Sequence, residues 1–386
     1  METRKTIILA AGGTGGHIFP AEALAEVLLA RGYAPHLVTD DRFHHYNKNS
    51  QHGVLGQIPI HTIRAGNLSG GLLHKLKSGV SILRGIHQAR ALIRRIDPVA
   101  VVGFGGYPSF PTMAAAVWMK RTAVLHEQNS VLGKVNRLMA RKVQAVATTY
   151  AATQQLPEIA RLRTQRSGNP VRAAICALAH TDYPELPEDG ILRLLVIGGS
   201  QGASVFSRVV PEAMALLPEN VRARIRLDQQ CRATELAEVR TRFSALGMQV
   251  DLAPFFTDMP LRLGAAHLVL SRAGSSSVAE LMVAGRPAIF VPLPSATDNH
   301  QYYNAQAIED HQAGWVMTQD AFTPEALASK LETLLRLPRR LSEMAANMHM
   351  LGIPDAADRL ADMVLAAAGE PVAEQPGTPM MKENAA

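Results

Sequence analysis

The chain has 386 residues, 47% of them hydrophobic, which is enough for two packed domains and excludes disorder throughout the chain. Its formal net charge of +6 favours an anionic partner, such as a nucleotide, a nucleic acid or a phospholipid surface. An aromatic content of 5%, without an aromatic and basic repeat, argues against nucleic-acid stacking. Two distant cysteines, Cys176 and Cys231, indicate a reduced compartment and argue against a zinc site.

The first predicted strand, residues 6–11, runs into the glycine loop GGTGG and then into a helix predicted to begin near Pro20. This order is typical of the phosphate loop of doubly wound folds. A dinucleotide fingerprint would need glycine where the chain has Ile18, which weakens an NAD site without excluding it. We interpret His17 either as a general base, because histidine titrates near neutrality, or as a structural hydrogen-bonding residue.

Two more polar loops follow predicted strands of the same domain. GFGGYPSFP begins at the end of strand 99–103, and HEQN begins after strand 123–125. The uncharged stretch 98–119 is long enough to span a membrane, but its glycines and prolines favour strand, loop and helix. Because parallel strands end at one edge of a sheet, the three loops predict one substrate cleft.

A turn at residues 166–172, RSGNPVR, precedes a second βα series, which opens with strand 192–197 and the loop GGSQGA. Two α/β domains that each begin with a glycine-rich turn predict two facing sheets with a cleft between them. We place the domains at 1–168 and 169–354, a C-terminal helix at 355–368 and a disordered tail at 369–386, because the tail has no periodicity.

The stretch 271–305 organises the second domain. Its strand 268–270 turns through Gly274 into a helix that three consecutive serines are expected to cap, and a strand at 288–292 follows. A helix N-terminus beside two strand ends predicts a diphosphate site. Glu280 lies three residues after Ser277, so its carboxylate belongs either to a capping box or to a ribose-binding site, and spacing leaves both open.

An amphipathic basic segment occupies residues 72–84. It is either a solvated helix packed on its own domain or a patch that lies on an anionic membrane surface. The expected patch residues are Leu72, Leu73, Lys75, Leu76, Lys77, Val80, Leu83 and Trp118.

Seven motifs in the same order resemble the MurG family, the UDP-N-acetylglucosamine transferases that convert lipid I to lipid II in peptidoglycan synthesis. They are GGTGGHIFPA, GFGGYPS, LHEQN, GNPVR, GGSQGA, SRAGSSSVAEL and ATDNHQYYNA, and the resemblance covers about residues 7–365. It implies a GT-B fold, with the acceptor on the first domain and the donor mainly on the second. It also implies that the helix 355–368 crosses back to the first domain.

The resemblance also implies roles for individual residues. His17 matches the proposed catalytic base, and Glu127 is the reserve candidate. Matching or neighbouring donor-site positions are Thr14, Gly15, Gly16, Asn129, Arg172, Ser200, Phe256, Ser275, Ser276, Ser277, Val278, Ala279, Glu280 and Gln301. We expect acceptor contacts at Gly105, Gly106, Tyr107 and His126.

The implied reaction is an inverting transfer of GlcNAc from UDP-GlcNAc to the 4-hydroxyl of MurNAc in lipid I, a muramyl peptide on a polyprenyl diphosphate. We expect no cofactor, no protein-bound metal and no nucleic-acid partner, while a magnesium effect through the diphosphate stays open. We also expect the protein to bind an anionic phospholipid surface and to lie peripherally on the cytoplasmic face of the bacterial inner membrane. The alternatives are another GT-B lipid glycosyltransferase, a UDP-GlcNAc epimerase and a non-catalytic binder of nucleotide or nucleic acid.

Overall fold

The computed structural model describes residues 4–12, 15–41, 43, 53–66, 72–198 and 203–372, with side chains from residue 78 onward in the segment that begins at 72. Two predicted donor contacts, Thr14 and Ser200, lie outside the described residues. The same is true of most of the predicted tail and of the side chains of Leu72, Leu73, Lys75, Leu76 and Lys77.

The described part of the first domain contains a parallel sheet of seven strands in the order β3-β2-β1-β4-β5-β6-β7. Its central strands are short apolar runs that are buried on both faces, as expected when helices cover both sides of a parallel sheet. The strands are β1 Thr6–Ala10, β2 Ala34–Thr39, β3 Ile60–Thr62, β4 Ala100–Gly103, β5 Ala123–Glu127, β6 Ala145–Thr148 and β7 Thr164–Arg166.

Four α-helices of the described chain connect these strands. They are α1 Gly15–Ala30, α2 Leu72–Ile96, α3 Gly106–Trp118 and α4 Lys134–Met139, with short 3₁₀ helices at Val54–Gly56 and Glu158–Arg163. The stretch 98–119 therefore forms strand, loop and helix as predicted, and no helix in the described residues is long and apolar enough to cross a membrane.

The second domain contains a parallel sheet of six described strands in the order β10-β9-β8-β11-β12-β13. Its strands are β8 Leu192–Ile197, β9 Ile225–Gln230, β10 Val250–Ala253, β11 Leu268–Ser271, β12 Ala288–Phe290 and β13 Gly314–Val316. The two parallel α/β sheets agree with the sequence prediction and with the GT-B fold that the family resemblance implies.

The helices of this half continue the series from α5 to α14. They are α5 Ala173–Cys176, α6 Ser204–Leu216, α7 Glu219–Arg222, α8 Leu236–Ala245, α9 Met259–Ala265, α10 Ser275–Ala284, α11 His300–Glu309, α12 Pro324–Arg336, α13 Pro338–Leu351 and α14 Ala356–Ala367. Short 3₁₀ helices lie at Ala177–His180 and Thr297–Asn299.

In each sheet the strand order reverses beside its first strand, between β1 and β4 and between β8 and β11. The loops that leave the two neighbouring strands at such a switch point diverge to opposite faces of the sheet and open a crevice. The loop after β1 leads into the first turn of α1, which carries the predicted base His17. The glycine-rich motif follows β4, and the loop after β11 leads into α10. The topology therefore places the predicted site loops of each domain at a crevice.

The last helix, α14, packs against the first domain. Leu360 and Val364 belong to the buried core that also contains Leu24 of α1. Arg31 pairs with Asp358 at 2.8 Å and with Asp362 at 2.5 Å. The described chain thus passes through the second domain, and its last helix lies on the first, which gives the two domains a contact outside the cleft.

Two of the element boundaries that differ from the sequence prediction bear on the site. Helix α1 begins at Gly15 rather than near Pro20, so His17 lies in the first helical turn. Strand β5 continues to Glu127, two residues further than predicted, because it pairs with β6 through His126 and Glu127. The longer strand carries both side chains into the buried interior.

Candidate active site

A cavity of about 810 Å³ opens between the two domains, within the range of roughly 300–1,000 Å³ typical of small-molecule sites. The first domain contributes Gly15, Gly16, His17, Gly106, Tyr107 and Asn129 to its lining. The second contributes Arg272, Gly274, Ser275, Ser276, Ser277, Thr297, Asp298, His300, Gln301 and Gln319. The cavity thus brings together residues from the two glycine-rich loops of the first domain and from the serine-rich turn of the second.

His17 and the second glycine loop form one wall of this cavity. His17 is half-buried and lies in the first turn of α1. Gly106 has a φ of +72°, and a Cβ at this position would lie 3.3 Å from Cε1 of His17. Glycine permits both the left-handed backbone and this close approach, so the loop packs directly against the histidine ring.

Glu127 lies behind this wall and is almost fully buried. Its Oε1 accepts hydrogen bonds from the backbone N–H of Asn129 at 3.0 Å and from Asn129 Nδ2 at 3.1 Å. Its Oε2 accepts from the N–H of Gly133 at 2.8 Å and from Asn136 Nδ2 at 2.9 Å. Burial raises the pKa of Glu127, and these hydrogen bonds oppose that shift. The carboxyl group therefore shapes the loop 128–133 and does not line the cavity.

His126 was expected to contact the acceptor, and the structure contradicts this. Its side chain is 0% exposed, because β5 extends past it into the core. Its Nε2 lies 2.9 Å from the carbonyl oxygen of Gly168, and its Nδ1 accepts from Nε2 of Gln128 at 3.0 Å. Burial lowers the pKa of His126 to about 4. It is a neutral structural residue that connects β5 to Gly168, in the segment that joins the two domains.

The second wall is the N-terminus of α10. Its N-cap is Gly274, and the first helical bond runs from the N–H of Val278 to the carbonyl of Gly274. The predicted serine cap is therefore wrong: Ser275, Ser276 and Ser277 occupy the first turn, and their N–H groups have no partner within the helix. The Oγ of Ser276 is buried without a partner among the described residues. This arrangement suits an anion.

Arg272 adds a cation at the same wall. Its guanidinium donates to the carbonyls of Val291 and Pro292 at 2.9 and 3.1 Å and to Oε1 of Gln319 at 2.7 Å. Burial lowers the pKa of Arg272, but an arginine remains charged at neutral pH. The positive charge therefore lies beside the open end of α10.

Glu280 lies on α10, beyond the lining of the cavity. It is not part of a capping box, because Ser277 is not the N-cap. Instead, its Oε1 accepts from Nε and Nη2 of Arg172 at 3.1 and 2.8 Å. Burial raises the pKa of Glu280, and the guanidinium of Arg172 opposes the shift. In the described residues no hydrogen bond reaches Oε2, so this oxygen can accept from a ligand.

Comparison with known proteins shows the family of this chain. Residues 7–148 match the Glycosyltransferase family 28 N-terminal domain, and residues 193–360 match the C-terminal domain of the same family. The crystal structure of Acinetobacter baumannii MurG superposes with a TM-score of 0.76 at 27% identity, covering 94% of this chain and 99% of that one. The chain is also 49% identical over 363 residues, 94% of each sequence, to the "UDP-N-acetylglucosamine--N-acetylmuramyl-(pentapeptide) pyrophosphoryl-undecaprenol N-acetylglucosamine transferase" of Rhodospirillum centenum. The chain belongs to the MurG family.

A UDP-GlcNAc 2-epimerase from Neisseria meningitidis, solved with UDP-GlcNAc bound, has the same fold, with a TM-score of 0.64 over 94% of this chain and all of that one. At 13% identity this likeness concerns the fold alone. The MurG-family membership therefore supports a hexosyltransferase over the epimerase alternative.

The other donor positions of this MurG-family chain have different surroundings. The side chains of Val278 and Ala279 are buried in the core of the second domain, so only their backbone can reach a ligand. Phe256 is also buried, with the guanidinium of Arg262 3.9 Å above its ring. Gln301 lines the cavity, and its Oε1 accepts from the N–H of Leu293 at 3.0 Å.

On the predicted acceptor side, Gly106 and Tyr107 line the cavity but Gly105 does not. Gly105 has a φ of +83°, and a Cβ there would lie 3.1 Å from Nδ2 of Asn136. Gly105 therefore lets the glycine loop pack closely against Asn136, which donates a hydrogen bond to Glu127.

The sequence prediction of the site did not include the polar residues Arg272, Asp298 and Asn304. Arg272 and Asp298 line the cavity, and Asn304 lies behind it in α11. The position of Arg272 between a strand end and a helix start was an available signal. Nothing in the spacing indicated Asn304, whose partners are about 30 and 175 residues away.

The described part of the predicted membrane patch is exposed. Leu83 and Trp118 are 68% and 65% exposed and Val80 is 49% exposed. The guanidinium of Arg90 lies 4.0 Å above the Trp118 ring. Apolar and cationic groups therefore share this face of α2 and α3.

Proposed function

We propose that this chain transfers GlcNAc from UDP-GlcNAc to the 4-hydroxyl of MurNAc in lipid I, with inversion at the anomeric carbon, and so forms lipid II. The observation that carries the proposal is one cavity with His17 on one wall and the open N-terminus of α10 on the other. A base and an anion site on opposite walls suit a displacement in which a hydroxyl loses a proton while a diphosphate leaves.

The donor lies along the second domain in this proposal. Its diphosphate accepts from the N–H groups of the first turn of α10 and from Ser276 Oγ, with Arg272 providing positive charge. Glu280 accepts from the ribose hydroxyls through Oε2, while Arg172 holds Oε1. The segment at Phe256 reads the uracil through its backbone, and Gln301 contacts the GlcNAc.

His17 is the proposed base, and Glu127 is a positioning residue for the loop beside it. His17 lines the cavity and Glu127 does not. In addition, four hydrogen bonds occupy the two carboxylate oxygens of Glu127. His17 takes the proton of the attacking hydroxyl as the bond to the anomeric carbon forms and the bond to UDP breaks. Helix dipole and Arg272 stabilise the departing UDP, so the proposed steps use no cofactor and no resident metal.

The test measures UDP release from UDP-GlcNAc with and without a short-chain lipid I analogue and identifies the disaccharide product. We expect release only with the acceptor and a β-linked GlcNAc-MurNAc product. His17→Ala should lower kcat by about 10²–10⁴-fold, as expected when a general base is removed. The exposed His311→Ala is the matched control and should behave like the wild type.

Two results would contradict the assignment. UDP release without acceptor would indicate epimerase-like or hydrolytic chemistry, and wild-type turnover in His17→Ala would exclude this residue as the base. Product formed only by the wild type and by His311→Ala supports both parts of the proposal.

The exposed face at Val80, Leu83 and Trp118 is proposed to lie on anionic phospholipid at the cytoplasmic side of the inner membrane. This places the cavity beside an acceptor that is anchored by its polyprenyl chain. Co-sedimentation with vesicles containing phosphatidylglycerol should fall in a Leu83→Ser, Trp118→Ser double variant. Leu261→Ser is the control, because Leu261 is 75% exposed on the second domain. Equal losses in the double variant and the control would contradict this surface.

A further inference from the structure

Asn304 is a fully buried amide side chain at the junction of the two domains, with 0% exposure. It lies in α11, three residues after Gln301, and therefore about one helical turn from a residue that lines the cavity. A buried amide is costly unless its two donors and two acceptor positions are matched, so its partners are informative.

All four hydrogen-bonding positions of this amide are occupied. Nδ2 donates to Oδ1 of Asn129 at 3.1 Å and to the carbonyl of Ala273 at 3.1 Å. Oδ1 accepts from the N–H of Ser130 at 2.8 Å and from Ser130 Oγ at 3.0 Å. The backbone N–H of Ser130 can only donate, which fixes the orientation of the amide.

Three of the four bonds cross from the second domain to the first. The fourth reaches Ala273, which directly precedes the N-cap of α10. On the first domain, Asn129 is itself held by two hydrogen bonds to Oε1 of Glu127. One continuous chain of bonds therefore connects the Glu127 loop, through Asn129 and Asn304, to the turn at the proposed diphosphate site.

A second contact holds the same segment at its exposed end. Asp298 pairs with Arg137 of the first domain at 3.1 Å. Asp298 and Asn299 have φ values of +52° and +53°, a left-handed conformation that residues other than glycine adopt only at a cost. Contacts with the first domain thus hold a strained turn that contributes Thr297, Asp298, His300 and Gln301 to the site.

We propose that Asn304 is a positioning residue that couples closure of the two domains to assembly of the transfer site. It touches no substrate: it fixes Gln301 and the turn before α10 relative to the loop at Asn129. This inference rests on the proposed glycosyl transfer and adds the step that aligns donor and acceptor. Opening the cleft breaks three of its bonds at once, so the alignment exists only in the closed arrangement.

Asn304→Asp tests the coupling with almost no change in shape. The variant places a carboxylate oxygen opposite two acceptors, the Ala273 carbonyl and Asn129 Oδ1, and so opposes closure. We expect kcat to fall about 100-fold, because a small misplacement of the reacting groups lowers the rate of transfer by about that factor. The Kd for UDP should stay within about threefold of the wild type. Small-angle scattering with UDP bound should give a larger radius of gyration than for the wild type.

The matched control is Asn347→Asp. Asn347 donates to the carbonyl of Gln312 within the second domain, away from the cleft, and its replacement should leave kcat and the scattering curve unchanged. Ser130→Ala is a milder second variant that removes only the Oγ bond. It should lower kcat about fivefold, which corresponds to one neutral hydrogen bond, and it keeps the test decisive if Asn304→Asp does not fold.

Several outcomes would overturn the inference. One is wild-type kcat and radius of gyration in Asn304→Asp or, if that variant does not fold, in Ser130→Ala. Another is a loss of affinity for UDP-GlcNAc alone, with unchanged UDP binding and scattering, which would make Asn304 a direct sugar contact. The scattering comparison needs no acceptor, so it tests the coupling even if the wild type fails to make the disaccharide and the proposed function is wrong.

Discussion

Glu127 and Glu280 are acidic residues beside opposite walls of the cleft, and burial raises the pKa of both. Glu127 is bound on both oxygens by four uncharged donors from its own domain. Glu280 is bound on one oxygen by a single cation, Arg172. The contrast shows that a raised pKa alone does not identify a catalytic acid, because the number of occupied acceptor positions decides whether a ligand can bind.

The largest effect is expected for Glu127→Gln. The new amide NH₂ would face two of the four donors that now bind the carboxylate, leaving buried donors without an acceptor. We expect the free energy of unfolding to fall by about 3 kcal/mol in urea at pH 7. Turnover should fall as well, because Asn129 loses its anchor.

Glu280→Gln serves as the comparison for this measurement and should change the free energy of unfolding by less than about 1 kcal/mol. A Glu127→Gln variant that unfolds like the wild type but loses turnover would contradict the structural role of Glu127. It would return this residue to consideration as the base.

A smaller loss of stability is expected on acidification, through protonation of His126, the neighbour of Glu127 in β5. Its pKa of about 4 lies below the value near 6.5 expected in the unfolded chain, so acidification protonates the unfolded state first. Stability from the neutral histidine is present above pH 6.5 and is lost as the pH falls towards 4. The expected loss is about 2 kcal/mol between pH 7 and pH 5.

The measurement compares urea unfolding of the wild type and His126→Gln across this range. Protonation of Glu127, whose pKa is raised, favours the folded state on acidification, so the difference between the two proteins is more informative than either curve alone. His311→Gln, an exposed replacement, should follow the wild type. Parallel curves for wild type and His126→Gln would contradict the buried neutral histidine.

Much of this fold follows from local patterns. Apolar runs bounded by glycine loops predict the two parallel sheets, and the serine-rich stretch predicts a helix N-terminus at the cleft. The burial of His126 does not follow, because pairing between β5 and β6 extends the strand beyond its apolar residues. The position of Asn304 depends on the two domains meeting, and no local spacing contains that information.

The smallest effect is expected for Glu280→Gln on the KM for the donor, UDP-GlcNAc. The amide keeps an acceptor for Arg172 but loses the charge that binds ribose hydroxyls, so KM for UDP-GlcNAc should rise about tenfold, equivalent to about 1.4 kcal/mol, with kcat nearly unchanged. In the wild type the same KM should rise as the pH falls through the raised pKa of Glu280, because the protonated carboxyl is a poorer acceptor. Glu280→Gln should remove this dependence, whereas the exposed Glu343→Gln should retain it. If kcat falls and KM stays constant, Glu280 acts in the transfer step, and the two acids of the cleft are more alike than their surroundings suggest.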